Sequence, residues 1–155
     1  RSIVDDIISL LDIDERRRHI IVLSDRTAHL KEMQRQLLTR RDHPAFKECP
    51  HGGARLLIGS TKAKDRESAL SAKVVLTTYT FSQEGVDKPH LDTLVIASPK
   101  GDVVQAVGRI LRQDPDKATP LVLDYREGIS SGILHGLFAK RQRIFRDHGF
   151  STMEN

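Results

Sequence analysis

The sequence predicts an α/β fold, a single domain with a mostly parallel sheet covered by helices on both faces. Three observations predict it. Five short runs are almost wholly apolar (19–23, 56–58, 74–76, 94–96 and 121–123), as strands buried on both faces must be. Segments of helical character separate most of them, the arrangement that parallel crossovers need. Polar clusters follow four of the runs, where an open parallel sheet carries its working surface.

Each element has its own reason. Ile3, Ile7, Leu10 and Leu11 share one helical face, and Asp14-Glu15 opens a short basic link. His19-Ile20-Ile21-Val22-Leu23 is the first strand, and the loop Ser24-Asp25-Arg26 follows it. Thr27 is expected to cap a helix through Leu38. Residues 40–54, with two prolines and Gly52-Gly53, read as a loop insertion. Leu56-Leu57-Ile58 is a strand ending at Gly59-Ser60-Thr61, and a charged helix spans 65–71. Val74-Val75-Leu76 and Leu94-Val95-Ile96 are the third and fourth strands, with a helix over 105–112 after the latter. Leu121-Val122-Leu123 ends on Asp124, where a carboxylate suits a turn. A long final helix covers 129–148.

Composition sets the class. The 155 residues fit one domain, with 38% hydrophobic and 30% charged residues, as in a globular protein rather than a disordered one. No apolar run approaches the ~20 residues that span a bilayer, and no signal-peptide pattern opens the chain. No membrane partner and an intracellular location are therefore expected. The chain begins Arg1-Ser2 without methionine, as a piece of a longer protein would. One cysteine, Cys49, excludes an internal disulfide. Net charge is +4 with a pI near 9.4, which permits nucleic-acid binding. With no Trp and few aromatics, base-stacking platforms are not evident and contacts should fall on the backbone.

The most informative segment is Gln105-Ala106-Val107-Gly108-Arg109-Ile110-Leu111-Arg112. Its two arginines lie three residues apart, on one helical face. Asp102 can cap the helix, and Val103, Val104 and Val107 can seat it on a core. Gly108 removes a side chain beside Arg109, where something must approach closely. Two permanently charged planar forks aimed at one spot suit a phosphate that gains charge during transfer. A solvated basic helix face would explain the pair equally if it stood alone. Between the third and fourth strands lies Thr77-Thr78-Tyr79-Thr80-Phe81-Ser82-Gln83-Glu84-Gly85-Val86-Asp87, which by composition is a polar connection with a glycine cap.

In order, these two stretches resemble motifs V and VI of superfamily 2 helicases, nucleic-acid-dependent ATPases built from two RecA-like domains. The octet fits Q-x-x-G-R-x-x-R, and the earlier stretch fits a Thr-rich opening with an E-G-x-D close. The resemblance covers most of the chain as a C-terminal, second RecA-like domain. The segment from Ile20 to Arg26 is similar to motif IV, and Gly59-Ser60-Thr61 to the phosphate-contacting loop after the next strand. Arg141 before an aromatic, then Gly149-Phe150, resembles the last helix of phage and large-DNA-virus helicases.

The resemblance implies roles residue by residue. Arg109 and Arg112 would be arginine fingers on the ATP γ-phosphate, with Gln105 beside it. Gly85, Asp87 and Gly108 would lie on the nucleotide side of the cleft. Ser24, Arg26, Gly59, Ser60, Thr77 and Thr78 would contact the nucleic-acid backbone. ATP and Mg²⁺ would be held mainly by an N-terminal RecA-like domain of the same parent chain. DEAD-box members usually carry Arg at Ala106 and Gly at Leu111, and Glu84 also departs from their pattern. These departures favour DNA over RNA as the partner.

What is absent narrows the function. No G-x-x-x-x-G-K-[ST] occurs, and no Asp-Glu pair follows an apolar strand, so this chain alone is not expected to hydrolyse ATP. An alternative from another class is a helicase-like domain kept only as a nucleic-acid or protein binding module. A Rossmann-type enzyme ranks last, because no G-x-G-x-x-G follows the first strand. His43, Cys49 and His51 form a poor zinc set without C-x-x-C, so no metal site is expected. Lys140, Arg141, Arg143 and Arg146 suit either a nucleic-acid track or a solvated face.

Overall fold

Alternate residues of the apolar runs face opposite sides of one sheet. Ile20, Val22, Val74, Leu76 and Val95 join one buried cluster, whereas Ile21, Leu23, Val75, Leu94 and Ile96 join another. With both faces covered, no position in these strands needs to be polar, and the period of two disappears from the sequence. The computed structural model describes residues 2–13, 16–49, 53–79, 91–98 and 121–125. In chain order the elements are α1 (Ile3–Leu11), β1 (Ile20–Ser24), α2 (Thr27–Leu38), α3 (Pro44–Lys47), β2 (Ala54–Leu57), α4 (Ala63–Leu70), β3 (Val74–Thr78), β4 (Thr93–Ile96) and β5 (Leu121–Asp124). The sheet runs β2-β3-β1-β4-β5 with every neighbouring pair parallel.

Helices α1, α2 and α3 pack on one face through Val4, Ile7, Leu11, Leu30, Leu37 and Phe46. Helix α4 covers the other with Ala69 and Leu70. Helix α1 starts where the Ser2 hydroxyl accepts the Asp5 amide at 3.1 Å, and Asp5 and Asp6 in its first turn suit the helix dipole. Ser2 and Arg40 together hold the Asp5 carboxyl below its usual range.

Three expectations are corrected. Thr27 does not cap α2. Arg26 is the N-cap residue and Thr27 the first helical one, because the Ser24 hydroxyl accepts the Arg26 amide at 3.2 Å and turns the chain earlier. The stretch 40–54 is not wholly loop. It contains α3, which opens on Pro44, and the His43 ring nitrogen Nδ1 accepts the Ala45 amide at 3.0 Å. Phe46 is buried so close to Gly53 that a Cβ there would lie 2.4 Å from the ring, so glycine is needed where the chain enters β2. Thr77 and Thr78 end β3 instead of opening the connection after it. The expected helices over 105–112 and 129–148 lie outside the described residues.

Candidate nucleic-acid interface

Parallel strands end on one edge. Ser24 is level with Thr78, Leu57 and Leu23 with Thr77, and Leu23 with Ile96, so the exits of β2, β3, β1 and β4 form one rim. Four hydroxyl side chains organise it. Ser24 is fully buried; besides accepting the Arg26 amide, its Oγ lies 3.3 Å from His29 Nδ1 of α2. Ser24 donates in that pair when the His29 proton sits on Nε2. Thr77, also fully buried, donates to the Leu57 carbonyl at 2.5 Å and ties β3 to the end of β2. Thr61 accepts the Ile58 amide at 3.0 Å and donates to the Leu56 carbonyl at 3.3 Å. Arg66 Nε then holds the Thr61 carbonyl at 3.3 Å from α4. Ser98 accepts the Asp25 amide at 2.9 Å on Oγ and the Tyr79 hydroxyl at 2.8 Å on its carbonyl.

The polar residues of the rim therefore divide into two kinds. Buried hydroxyls fix the loop backbones, and Arg26, Gly59 and Ser60 stand exposed on the loops so fixed. Thr78 is half-buried between them. The space where a Gly59 Cβ would lie has no atom within 4 Å, so a ligand backbone can approach there. Beside Ser60, a groove of about 280 Å³ is lined by Gln34, Arg55, Thr61, Lys62 and Asp65.

Of the residues expected in the site, the structure brings Ser24, Arg26, Gly59, Ser60, Thr77 and Thr78 to one rim. The side chains of Ser24 and Thr77 point into the domain rather than outward. Gly85, Asp87, Gln105, Gly108, Arg109 and Arg112 lie outside the described residues. Thr61 and Ser98 lie where the sequence reading put their polar clusters, after a strand, but the contacts they make there, and the places of Tyr79 and His29 at the rim, were not assigned from the sequence. Ser98 had a signal, since it heads a polar cluster after a strand; the pairing of Tyr79 with it had none.

Three of the described arginines elsewhere on the surface are paired with carboxylates. Arg35 pairs with Glu32 at 2.6 Å, Arg16 with Glu48 at 3.0 Å and Arg40 with Asp5 at 3.4 Å. Hydrogen bonds from Arg35 and Gln36 pull the Glu32 carboxyl down to about 2. His43 bonds Asp12 at 2.7 Å and Cys49 donates to the Ser71 carbonyl at 3.5 Å, so both serve local contacts. Among the described residues no cluster of three or more His, Cys, Asp or Glu side chains gathers to hold a metal. None of the described helices is long and apolar enough to cross a membrane.

This fold has known counterparts. The chain aligns over 98% of its length with the Mycobacterium smegmatis helicase Lhr, solved with ssDNA and AMP-PNP, at a TM-score of 0.63 and 19% identity; it covers 20% of that chain. The fold is RecA-like, as in the helicase that it aligns with. In sequence, the chain is 31% identical over 77 residues to an Acanthamoeba polyphaga mimivirus protein provisionally named an ATP-dependent RNA helicase. It is 30% identical over 97 residues to an African swine fever virus protein of the same provisional name. These matches take in 50% and 61% of this chain but only 15% and 19% of the viral proteins. The likeness to large-DNA-virus helicases read from the closing segment thus extends to the relatives themselves. No family model matches the chain.

Proposed function

We propose that this chain is the second motor domain of an ATP-dependent superfamily 2 helicase or translocase. The observation that carries the reading is the rim. An all-parallel sheet delivers the exposed Arg26, Gly59 and Ser60 to one edge, and the sequence places a motif V and motif VI pair on the connections beyond β3 and β4. Lys62 and Arg55 in the adjoining groove add positive charge to the same edge.

Nucleic acid would lie along the rim, held by its phosphates. Arg26 supplies charge, and Gly59 and Ser60 supply an open backbone and a hydroxyl, donors that grip phosphates without reading bases. Ser24 and Thr77 would act from below, by holding these loops in shape. Helix α2 also begins at the rim without a side-chain N-cap bond, so its positive end adds to the field. A partner RecA-like domain earlier in a longer protein would hold Mg-ATP, which supplies the phosphoryl group to be cleaved. Gln105, Gly108 and Asp87, with Gly85, would face that nucleotide across the cleft, and Arg109 and Arg112 would meet its γ-phosphate. The chain has no P-loop of its own, so turnover needs both halves.

The departures from the DEAD-box pattern at Ala106, Leu111 and Glu84 favour DNA, whereas the names of the viral relatives favour RNA. A grip on phosphates accepts either, and the relatives make RNA the first substrate to test. The deciding experiment is nucleic-acid-stimulated ATPase of the full-length protein, wild type beside Arg112→Ala, with RNA and single-stranded DNA in parallel. Arginine fingers are worth about 10³–10⁵ in turnover, so Arg112→Ala should lose at least about a thousandfold. Near-normal turnover in that variant would sink the assignment. Binding without any turnover in the wild type would establish a binding-only module instead.

A further inference from the structure

We propose that Ser98 is a positioning residue that couples the nucleic-acid grip to the nucleotide-facing segment, by joining Asp25 of the β1 loop to Tyr79 at the end of β3. The inference rests on the motor reading above and assigns a residue that reading leaves without a role.

Ser98 is 1% exposed and stands where three chain segments meet. Its Oγ accepts the Asp25 amide at 2.9 Å, which fixes the residue before Arg26. Its carbonyl accepts the Tyr79 hydroxyl at 2.8 Å, and Tyr79 directly follows Thr78. The backbone adds a third tie, since the Ala97 amide donates to the Leu23 carbonyl at 2.8 Å. In the sequence, Ser98 precedes the segment that carries Gln105, Arg109 and Arg112. Tyr79 is itself 4% exposed and packs in the cluster on the α4 face, so its hydroxyl is held from behind.

Such a junction does what a coupling element must. A shift of the β1 loop on binding a phosphate must either move the Ser98 hydroxyl or break its bond to Asp25, and in sequence Ser98 comes just before the segment with the arginines. The Tyr79 bond is buried and has no solvent to replace it, and the Asp25 bond is part-buried with its acceptor, Ser98, inside, so the connection is held firmly from the Ser98 side. Interaction at the rim and arrangement of the nucleotide side then become two readings of one local geometry.

The test uses the full-length protein in three forms: wild type, Ser98→Ala and Tyr79→Phe. Ser98→Ala removes the bond to Asp25, and Tyr79→Phe removes the bond from Tyr79 with its ring packing kept. For each, basal turnover, turnover at saturating RNA or single-stranded DNA, half-saturating nucleic acid and thermal midpoint are measured. Each variant should cut the stimulation factor by between about threefold and about tenfold, the loss of one hydrogen bond. Basal turnover should stay within about twofold, whereas half-saturating nucleic acid should rise in Ser98→Ala, whose hydroxyl holds the loop that carries Arg26. Full stimulation in both variants overturns the coupling role and leaves the motor reading intact. Basal and stimulated turnover falling together with the thermal midpoint also overturns it, since that is what mere loss of structure gives. A wild type that nucleic acid does not stimulate overturns the motor reading, and this proposal with it.

Discussion

The two ends of the sheet are both polar, yet they are built in opposite ways. At the N-terminal ends of the strands, charged side chains are turned into the interior. Arg18 and Asp92 are buried, with Arg18 Nη1 at 2.9 Å from the Thr93 hydroxyl and 4.0 Å from Asp92 Oδ1. The same carboxylate oxygen accepts the Thr93 hydroxyl at 2.8 Å and the His19 amide at 3.1 Å. Lys73 reaches the Arg16 carbonyl at 2.5 Å. At the C-terminal ends, neutral hydroxyls bind loop backbones and the exposed side chains include the cation of Arg26. Charge turned inward fastens strands, and charge held outward on a stiff loop remains available for a ligand. The difference teaches that polar content alone does not mark a functional edge; what matters is where the charge is spent.

The sharpest break in that contrast is Asp92→Ala. Removing one partner of a buried ion pair takes a countercharge from the buried Arg18 guanidinium, and such losses run to about 3–5 kcal/mol. Urea unfolding should show that drop, and the folded fraction should bind nucleic acid normally. A loss under about 1 kcal/mol would mean that the N-terminal network does not fasten the sheet.

Arg26→Ala should do the reverse. Stability should stay within about 0.5 kcal/mol, as for an exposed side chain with no structural bond. Nucleic-acid affinity should fall alike for every sequence, and the salt slope should shrink by about one unit, for one lost phosphate contact. An unchanged slope in a salt titration would remove Arg26 from the grip.

The smallest expected effect tests Lys73, whose burial pushes its pKa below the ordinary 10.5. In the window just under 10.5 the unfolded chain holds a proton there that the folded chain has released. Stability from this group therefore rises with pH through the alkaline range. Wild type should gain on Lys73→Met as pH climbs towards that value in denaturant titrations. A wild type that loses ground to Lys73→Met over that range would show that Lys73 is not strained by burial.

Much of this fold could be read from patterns of residues. Runs such as Ile20 to Leu23 and Leu94 to Ile96 form strands, as short uninterrupted apolar segments suit a sheet covered on both faces. Boundaries were harder. Thr27 has the chemistry of a cap, yet the Ser24 hydroxyl three residues earlier decides where α2 begins. Helix α3 was hidden among prolines and glycines, because Phe46 finds its burial only when β2 lies beside it. At the rim, Arg26, Gly59 and Ser60 could be picked out because each follows a strand. The inward turn of Ser24 and Thr77 could not, since a hydroxyl suits a phosphate and a carbonyl equally well.

By itself, then, the sequence determined the α/β class, the strands and the edge that carries the polar loops, because apolar run length and residue order are local properties. Only the tertiary structure decided which hydroxyls face inward, which cations are paired and that Ser98 joins Asp25 to Tyr79. Those outcomes depend on distances between residues far apart in the chain, such as the 2.9 Å from Asp25 to Ser98, which no local pattern records.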